Sequence, residues 1–309
     1  MHAGTDIDRI ARLGPPRSRV VSYGWYPALA VAGIAVATAA FQGQIARPAA
    51  AGAFGALVVF GTALVEWRHP LDERWRMTGR SFFRRDLPFL GVDLLLERVG
   101  EAAAALIAAS LLPADGFGPL ASLPLVAQAF VGLALFDLCW YHYHRFAHAN
   151  PRLWRVHGAH HAPSELYVFM HGVFHPFDVV VIRIVITVAV FGLSGITPDA
   201  VFIALLVMAL QGTVSHANID LRTGPLSYVL IGTQTHRFHH SADHDGNYSS
   251  VLTLWDLLLG TFVHRSDAIP QRIGLHDPAT YPNPEHFHQV LAWPLQRATS
   301  PLTAAEVMA

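Results

Sequence analysis

The chain has 309 residues, of which 52% are hydrophobic and 14% charged, with a mean hydropathy of +0.35 and a formal net charge of −1. Soluble domains carry about 25% charged residues, so this composition points to a membrane protein, and a net charge of −1 leaves no basic surface for tracking nucleic acid phosphates. The one cysteine, Cys139, excludes an internal disulfide and a thiolate metal cluster, and in its apolar run it reads as a buried, inert thiol.

Residues 1–22 contain Asp6, Asp8, Arg9, Arg12, Arg17 and Arg19 and no short apolar core with a cleavage site, so they read as a polar tail rather than a signal peptide. Apolar runs at about residues 24–40 and 50–64, near the lower length limit for a spanning helix, form a predicted hairpin around an outer loop at 42–48. Residues 66–86 carry Arg68, Arg74, Arg76, Arg80, Arg84 and Arg85 and read as a cytoplasmic loop by the positive-inside bias. A helix over about 88–112 is amphipathic at first, with Asp93, Glu97, Arg98 and Glu101, and is broken at Pro113 and Gly116. The next helix, about 123–149, returns to the same side. A third hairpin, about 179–193 and 200–215, turns at 195–198 and delivers His216. The predicted fold is all-α, with helical hairpins holding about 4–6 spanning or half-spanning helices. Both termini lie on the cytoplasmic side, and the polar, proline-rich residues from about 265 form a cytoplasmic cap. The expected division is a tail over 1–22, one membrane domain over 23–265 and a cytoplasmic segment over 266–309.

Nineteen residues are histidine, and 13 of them fall between His142 and His244. Three groups stand out: His144 with His148, then His157, His160 and His161, then His236, His239 and His240. Residues three and four apart on a helix share a face. Asn150–Pro151 is a helix stop and restart, with asparagine as cap and proline at the first position. With His216 the groups make nine candidate ligands, enough for two five- or six-coordinate metal ions, where one structural zinc needs four. His142, His171, His175 and His264, taken singly, read as core or interfacial residues. Metal-bound histidines usually donate their second N–H to a carboxylate or carbonyl. Asp137, Glu165, Asp243, Asp245 and Asp256 are placed to accept it, and each reads equally well as a cap or turn residue. Asn247 joins Asp137 and Asp256 as a candidate support behind the ligands.

At these residues the chain resembles the fatty acid hydroxylase and sterol desaturase superfamily of membrane di-iron enzymes. The resemblance rests on DLCWYHYHRFAH, LWRVHGAHH, SHANID, THRFHH and NYSSVLTLWDLLLGTF, with EWRHPLDERWR at 66–76, and covers roughly 66–265. It implies two iron ions on His144, His148, His157, His160, His161, His216, His236, His239 and His240, between a membrane anchor and a cytoplasmic cap in a bacterial-type inner membrane. It implies dioxygen-dependent hydroxylation or desaturation of a fatty acyl, sphingolipid or sterol-like substrate. Departures from the family pattern are the lack of an asparagine near Tyr167, of an arginine near Val173 and of a glycine after Tyr248. The chain has no Gly-rich nucleotide motif and no haem or cluster cysteines, so neither nucleotide nor haem is expected. Electrons must then come from a ferredoxin, cytochrome or reductase; Arg152, Arg155 and Arg237 are candidate docking contacts or simply solvated arginines. The competing reading is a histidine-rich metal-binding membrane protein or transporter without redox chemistry, although transporter sites usually lie near the bilayer midplane.

Overall fold

The computed structural model describes residues 10–111 and 118–296. Residues 1–9 of the tail, the break expected at Pro113 and Gly116, and residues 297–309 lie outside the described residues. The fold is mostly helical, and four helices are long and apolar enough to cross a membrane: α1 (Arg19–Phe41), α2 (Arg47–Arg68), α4 (Leu125–Ala149) and α7 (Pro198–Ser215). Between them run α3 (79–111), α5 (Pro151–His161) and α6 (176–193). Among the described residues, the first arms of the second and third predicted hairpins, α3 and α6, do not combine span length with span composition.

Local chemistry sets the starts. Ser18 caps α1, Asn150 accepts the N–H groups of Arg152 and Leu153 ahead of α5, and Thr197 accepts from Ala200 ahead of α7. The arginine-rich stretch is only half a loop. Thr78 and Ser81 form a reciprocal capping box, so the helix begins at Gly79, about two turns before its apolar part. The sequence also misplaces Cys139. It is exposed on the outer face of α4, because the inward positions go to Phe136, Asp137, Trp140 and Tyr141.

Two packed layers position the site. Leu29, Phe54, Val58, Phe202 and Leu206 join α1, α2 and α7, while Leu133, Phe136, Val190 and Phe191 join α4 and α6. The spans share a common far end, where Arg47 pairs with Asp199 at 2.5 Å and Gly195, at φ +72°, lies so close to Gly118 that a Cβ would meet its backbone at 2.4 Å. At the opposite end the buried Glu66 of α2 accepts the N–H groups of Val168 (3.0 Å) and Asn218 (2.7 Å). Asn218 in turn brackets the backbone of Asp72. Buried Arg85 bonds Asp86 at 2.8 Å and Tyr167 at 2.6 Å, fixing the start of α3 to the segment after α5. A short antiparallel ribbon pairs β1 (Ile10–Arg12) with β2 (Ala268–Pro270).

Glu66→Ala would strand two buried N–H groups, each costing about 1–3 kcal/mol. The expected loss is about 2–6 kcal/mol, read as a lowered Tm in detergent, while Glu66→Gln keeps an acceptor and loses less than half of that.

Candidate metal centre

All nine histidines converge at the site end, and they sort into two groups. His144, His148, His157, His161 and His239 form one; His160, His216, His236 and His240 form the other, and within each group the candidate ligand nitrogens lie within 4.8 Å of one another. The sorting follows from helix geometry. Consecutive residues are rotated by about 100°, so the pairs His160–His161 and His239–His240 cannot aim at one point. On α5, His157 and His161 share a face and serve the first group while His160 turns to the second. On α8 (Thr233–His239) the roles reverse: His236 and His240 serve the second group, and His239 crosses to the first. The two groups touch where His161 stacks on His240 at 4.5 Å.

Ring protons are spent on the outside. His144 Nδ1 bonds the Tyr248 carbonyl (2.7 Å), His160 that of Val173 (3.0 Å), His239 that of Gly246 (2.9 Å) and His216 that of Gly212 (2.9 Å). His157 Nδ1 meets Asp178 at 3.2 Å. A neutral imidazole that donates from Nδ1 has only a lone pair at Nε2. In the first group all five Nε2 atoms are buried without a hydrogen-bond partner. In the second, Nε2 atoms face one another, His160 to His216 at 3.2 Å, His216 to His236 at 2.9 Å and His236 to His240 at 3.1 Å. His160 and His216 have both spent their protons, so their contact sets lone pair against lone pair, which only a cation between them makes favourable. Nitrogens about 2.0–2.1 Å from one ion would stand about 2.9–3.4 Å apart at 90–109°, which matches. The residues fit a metal ion in each group.

Burial disfavours the protonated form of the rings outside the spans whose shift is resolved. It drives His160, His161, His236 and His240 well below their ordinary value and His216 and His239 down to about 3. The unfolded rings protonate near pH 6.5, so below that pH the unfolded state binds more protons and stability falls with acid.

The carboxylates nominated from sequence do not touch the rings. Asp137 accepts the N–H groups of Ser250, Val251 and Leu252, and Asp256 those of Tyr248 (2.8 Å) and Ser249 (2.9 Å). Asn247, at φ +55°, bonds the backbone of Thr235 and Val263. Together they hold the loop whose Gly246 and Tyr248 carbonyls take the protons of His239 and His144. Glu165 goes to Arg85, Asp243 to Arg272 and Asp245 to the Gly246 N–H. The carboxylate that does reach a ring, Asp178, was missed. Its one sequence signal is its place two residues after Pro176 in the first turn of α6. It is fully buried and also accepts from Tyr143 of α4, so it ties together α4, α5 and α6. Two departures from the family pattern carry a role through backbone or ring: Val173 offers its carbonyl to His160, and buried Tyr167 bonds Arg85. Arg237 is also corrected as a docking contact. It is buried and bonded to the Thr233 (2.6 Å) and Ile219 (3.3 Å) carbonyls.

Residues 129–261 match the sequence profile of the family described as fatty acid hydroxylase. The chain is 36% identical over 142 residues to the ornithine lipid hydroxylase OlsE of Rhizobium tropici, covering 45% of this chain and 43% of that protein. It is 30% identical to an alkylglycerol monooxygenase of Danio rerio, over 46% of this chain and 31% of the relative. The sphingolipid C4-hydroxylase sur2 of Schizosaccharomyces pombe is 24% identical over 69% of each. The chain thus spans less than half the length of the first two relatives. No solved structure matches.

Asp178→Asn is expected to weaken metal retention about 10–100-fold, the usual cost of losing an outer carboxylate on a metal-bound histidine, measured as metal content after graded chelation. Lowering the pH from about 7 to about 5 should lower the Tm of the metal-free protein, read by a thermal melt in detergent, and release metal over the same range, because the ligands must be deprotonated.

Proposed function

From the premise that the chain carries a fatty acid hydroxylase domain over residues 129–261, we propose that it is a membrane di-iron oxygenase that hydroxylates or desaturates an unactivated C–H of a lipid, using dioxygen and external electrons. The observation that carries this reading is the pair of histidine groups whose bare Nε2 atoms converge. The names of the relatives, hydroxylases and monooxygenases of ornithine lipid, alkylglycerol and sphingolipid, support the lipid class. His144, His148, His157, His161 and His239 would hold one iron, and His160, His216, His236 and His240 the other. Bound iron would supply the activation of dioxygen.

The chain supplies the rest. Backbone carbonyls and Asp178 hold the ring protons of His144, His157, His160, His216 and His239 outward, so these five histidines present Nε2 inward. Trp140 and Trp154, at 4.7 Å from His144 and 5.1 Å from His148, and Phe174, stacked on His160 at 4.0 Å, pack against the rings and restrict their orientation. His144 and His148 in the last turns of α4, and His216 directly after α7, support a site at one end of the membrane segment, where a lipid can reach it. We read residues 23–265 as one functional domain, with the flanking segments and the site on the cytoplasmic side of a bacterial inner membrane. The electron donor is a separate ferredoxin, cytochrome or reductase; exposed Arg152 is the remaining docking candidate, since Arg155 bonds the Gln296 carbonyl.

The test is metal analysis together with lipid profiling. The wild type should carry two irons per chain and yield a lipid gaining one oxygen or losing two hydrogens. His160→Ala and His239→Ala each remove a ligand from a different group, and both should abolish product and lower the metal content. An active, metal-replete variant at either position would refute the reading.

A further inference from the structure

A cavity of about 580 Å³ opens on the first histidine group and not on the second. Its floor includes His148, His161 and His239, and its walls include Arg145, Asp245 and Thr261. The chemistry of those walls is not that of an acyl channel. Arg145 is exposed, its guanidinium bonded at 3.2 Å to Tyr141 Oη, which is itself fixed by Thr261 at 2.9 Å. Among the described residues, no carboxylate lies within ion-pairing distance of it, although Arg74, Arg85, Arg222 and Arg272 each have one. Asp245 is likewise exposed and, among the described residues, has no cationic partner; it accepts from the Gly246 N–H and from Tyr248. Asp243, the other carboxylate in the wall, is already paired with Arg272 at 2.6 Å. The cavity therefore offers one positive and one negative group without an ionic partner.

Its surroundings are apolar. The helix α9 (Leu254–Leu259) leads directly into the wall residues Gly260 and Thr261, and its Leu257, Leu258 and Leu259 are exposed, as is Phe146 beside Arg145 in sequence. Exposed leucines on a helix packed against the candidate span α4 suit a bilayer surface better than water. A polar, two-signed cavity joined to an apolar face has the shape of an amphiphile with a zwitterionic head.

We propose that this cavity is a headgroup site for a zwitterionic membrane lipid, with the anionic group on Arg145 and the ammonium on Asp245. The proposal rests on the lipid-oxygenase reading and narrows its substrate class. The headgroup supplies the orientation, because charge-assisted hydrogen bonds are directional and about twice as strong as neutral ones. It would be held above the first histidine group while the acyl chains stay along α4 and α9.

The experiment measures equilibrium binding of radiolabelled short-chain lipids to the full chain in detergent, with metal content recorded for each sample. Four probes are used: dihexanoyl phosphatidylethanolamine and an N-acyl lysine as zwitterions bearing phosphate and carboxylate, dihexanoyl phosphatidylglycerol as an anion, and dihexanoyl glycerol as the neutral control. Both zwitterions should bind more tightly than the neutral lipid. Arg145→Gln should weaken both zwitterions and the anion about tenfold and leave the neutral lipid unchanged. Asp245→Asn should weaken the zwitterions alone. If either variant binds zwitterions as the wild type does, or weakens the neutral lipid equally, the headgroup site is refuted. Binding and metal content are separate readouts, so a chain that discriminates headgroups while holding no iron would sink the oxygenase reading and leave the headgroup site standing.

Discussion

Nine imidazoles gathered at one end of the bundle, with bare nitrogens turned toward one another, are the constraint to which the rest of the structure answers. A buried polar atom without a partner costs about 1–3 kcal/mol, and the first histidine group alone has five. That sum is comparable to the whole stability of a typical domain, about 5–15 kcal/mol. A fold that collects such atoms in one place is stable with a cation there and poorly stable without one. On the reading proposed above, metal binding and completion of the fold are then one free-energy change rather than two.

The division of labour around the rings explains how such a site is kept in order. The inward nitrogens can be left bare because every outward proton with a partner goes to something that cannot move far. Four of these acceptors are backbone carbonyls, of Val173, Gly212, Gly246 and Tyr248, and one is the buried carboxylate of Asp178. Gly246 and Tyr248 belong to an irregular loop that has no helix or sheet to hold it. Asp137, Asn247 and Asp256 supply the missing hydrogen bonds, so residues that touch no ring still determine where two rings point. Loss of Asp137 would act through three N–H groups and a carbonyl before reaching His144.

Much of this was legible in the chain because it is written in periodicity. The i and i+4 spacings of His144–His148, His157–His161 and His236–His240 announce shared faces, and Asn150–Pro151 announces the turn between α4 and α5. The doubled histidines could not be assigned from spacing, since their partition depends on which helix lies opposite. The capping box at Thr78 escaped notice because arginines at 80, 84 and 85 dominate the composition of a helical turn. Asp178 escaped for a different reason. Its partners Tyr143 and His157 lie 35 and 21 residues away, and no local pattern links residues brought together by the packing of three helices. Arg237 looked like surface charge for the same cause; burial is a tertiary property, and its two carbonyl partners replace the solvent that an exposed arginine would have.

The depth of the site depends on the spans as much as on the segments above them. His144 and His148 are the last turns of α4, and His216 directly follows α7, so their heights are set where these helices end. The far end is pinned by Arg47 and Asp199 and by the close approach of Gly118 and Gly195. The near end is pinned by Glu66, which reaches from α2 to the backbone of Val168, in the segment after α5, and of Asn218, two residues after His216. A slip of one helical turn, about 5.4 Å along an axis, exceeds the 4.8 Å within which each group's ligand atoms lie. Polar pins at both ends of an otherwise apolar bundle therefore do what apolar packing alone, tolerant of sliding, would not. They fix the register in which two halves of a histidine site, carried on separate hairpins, become one.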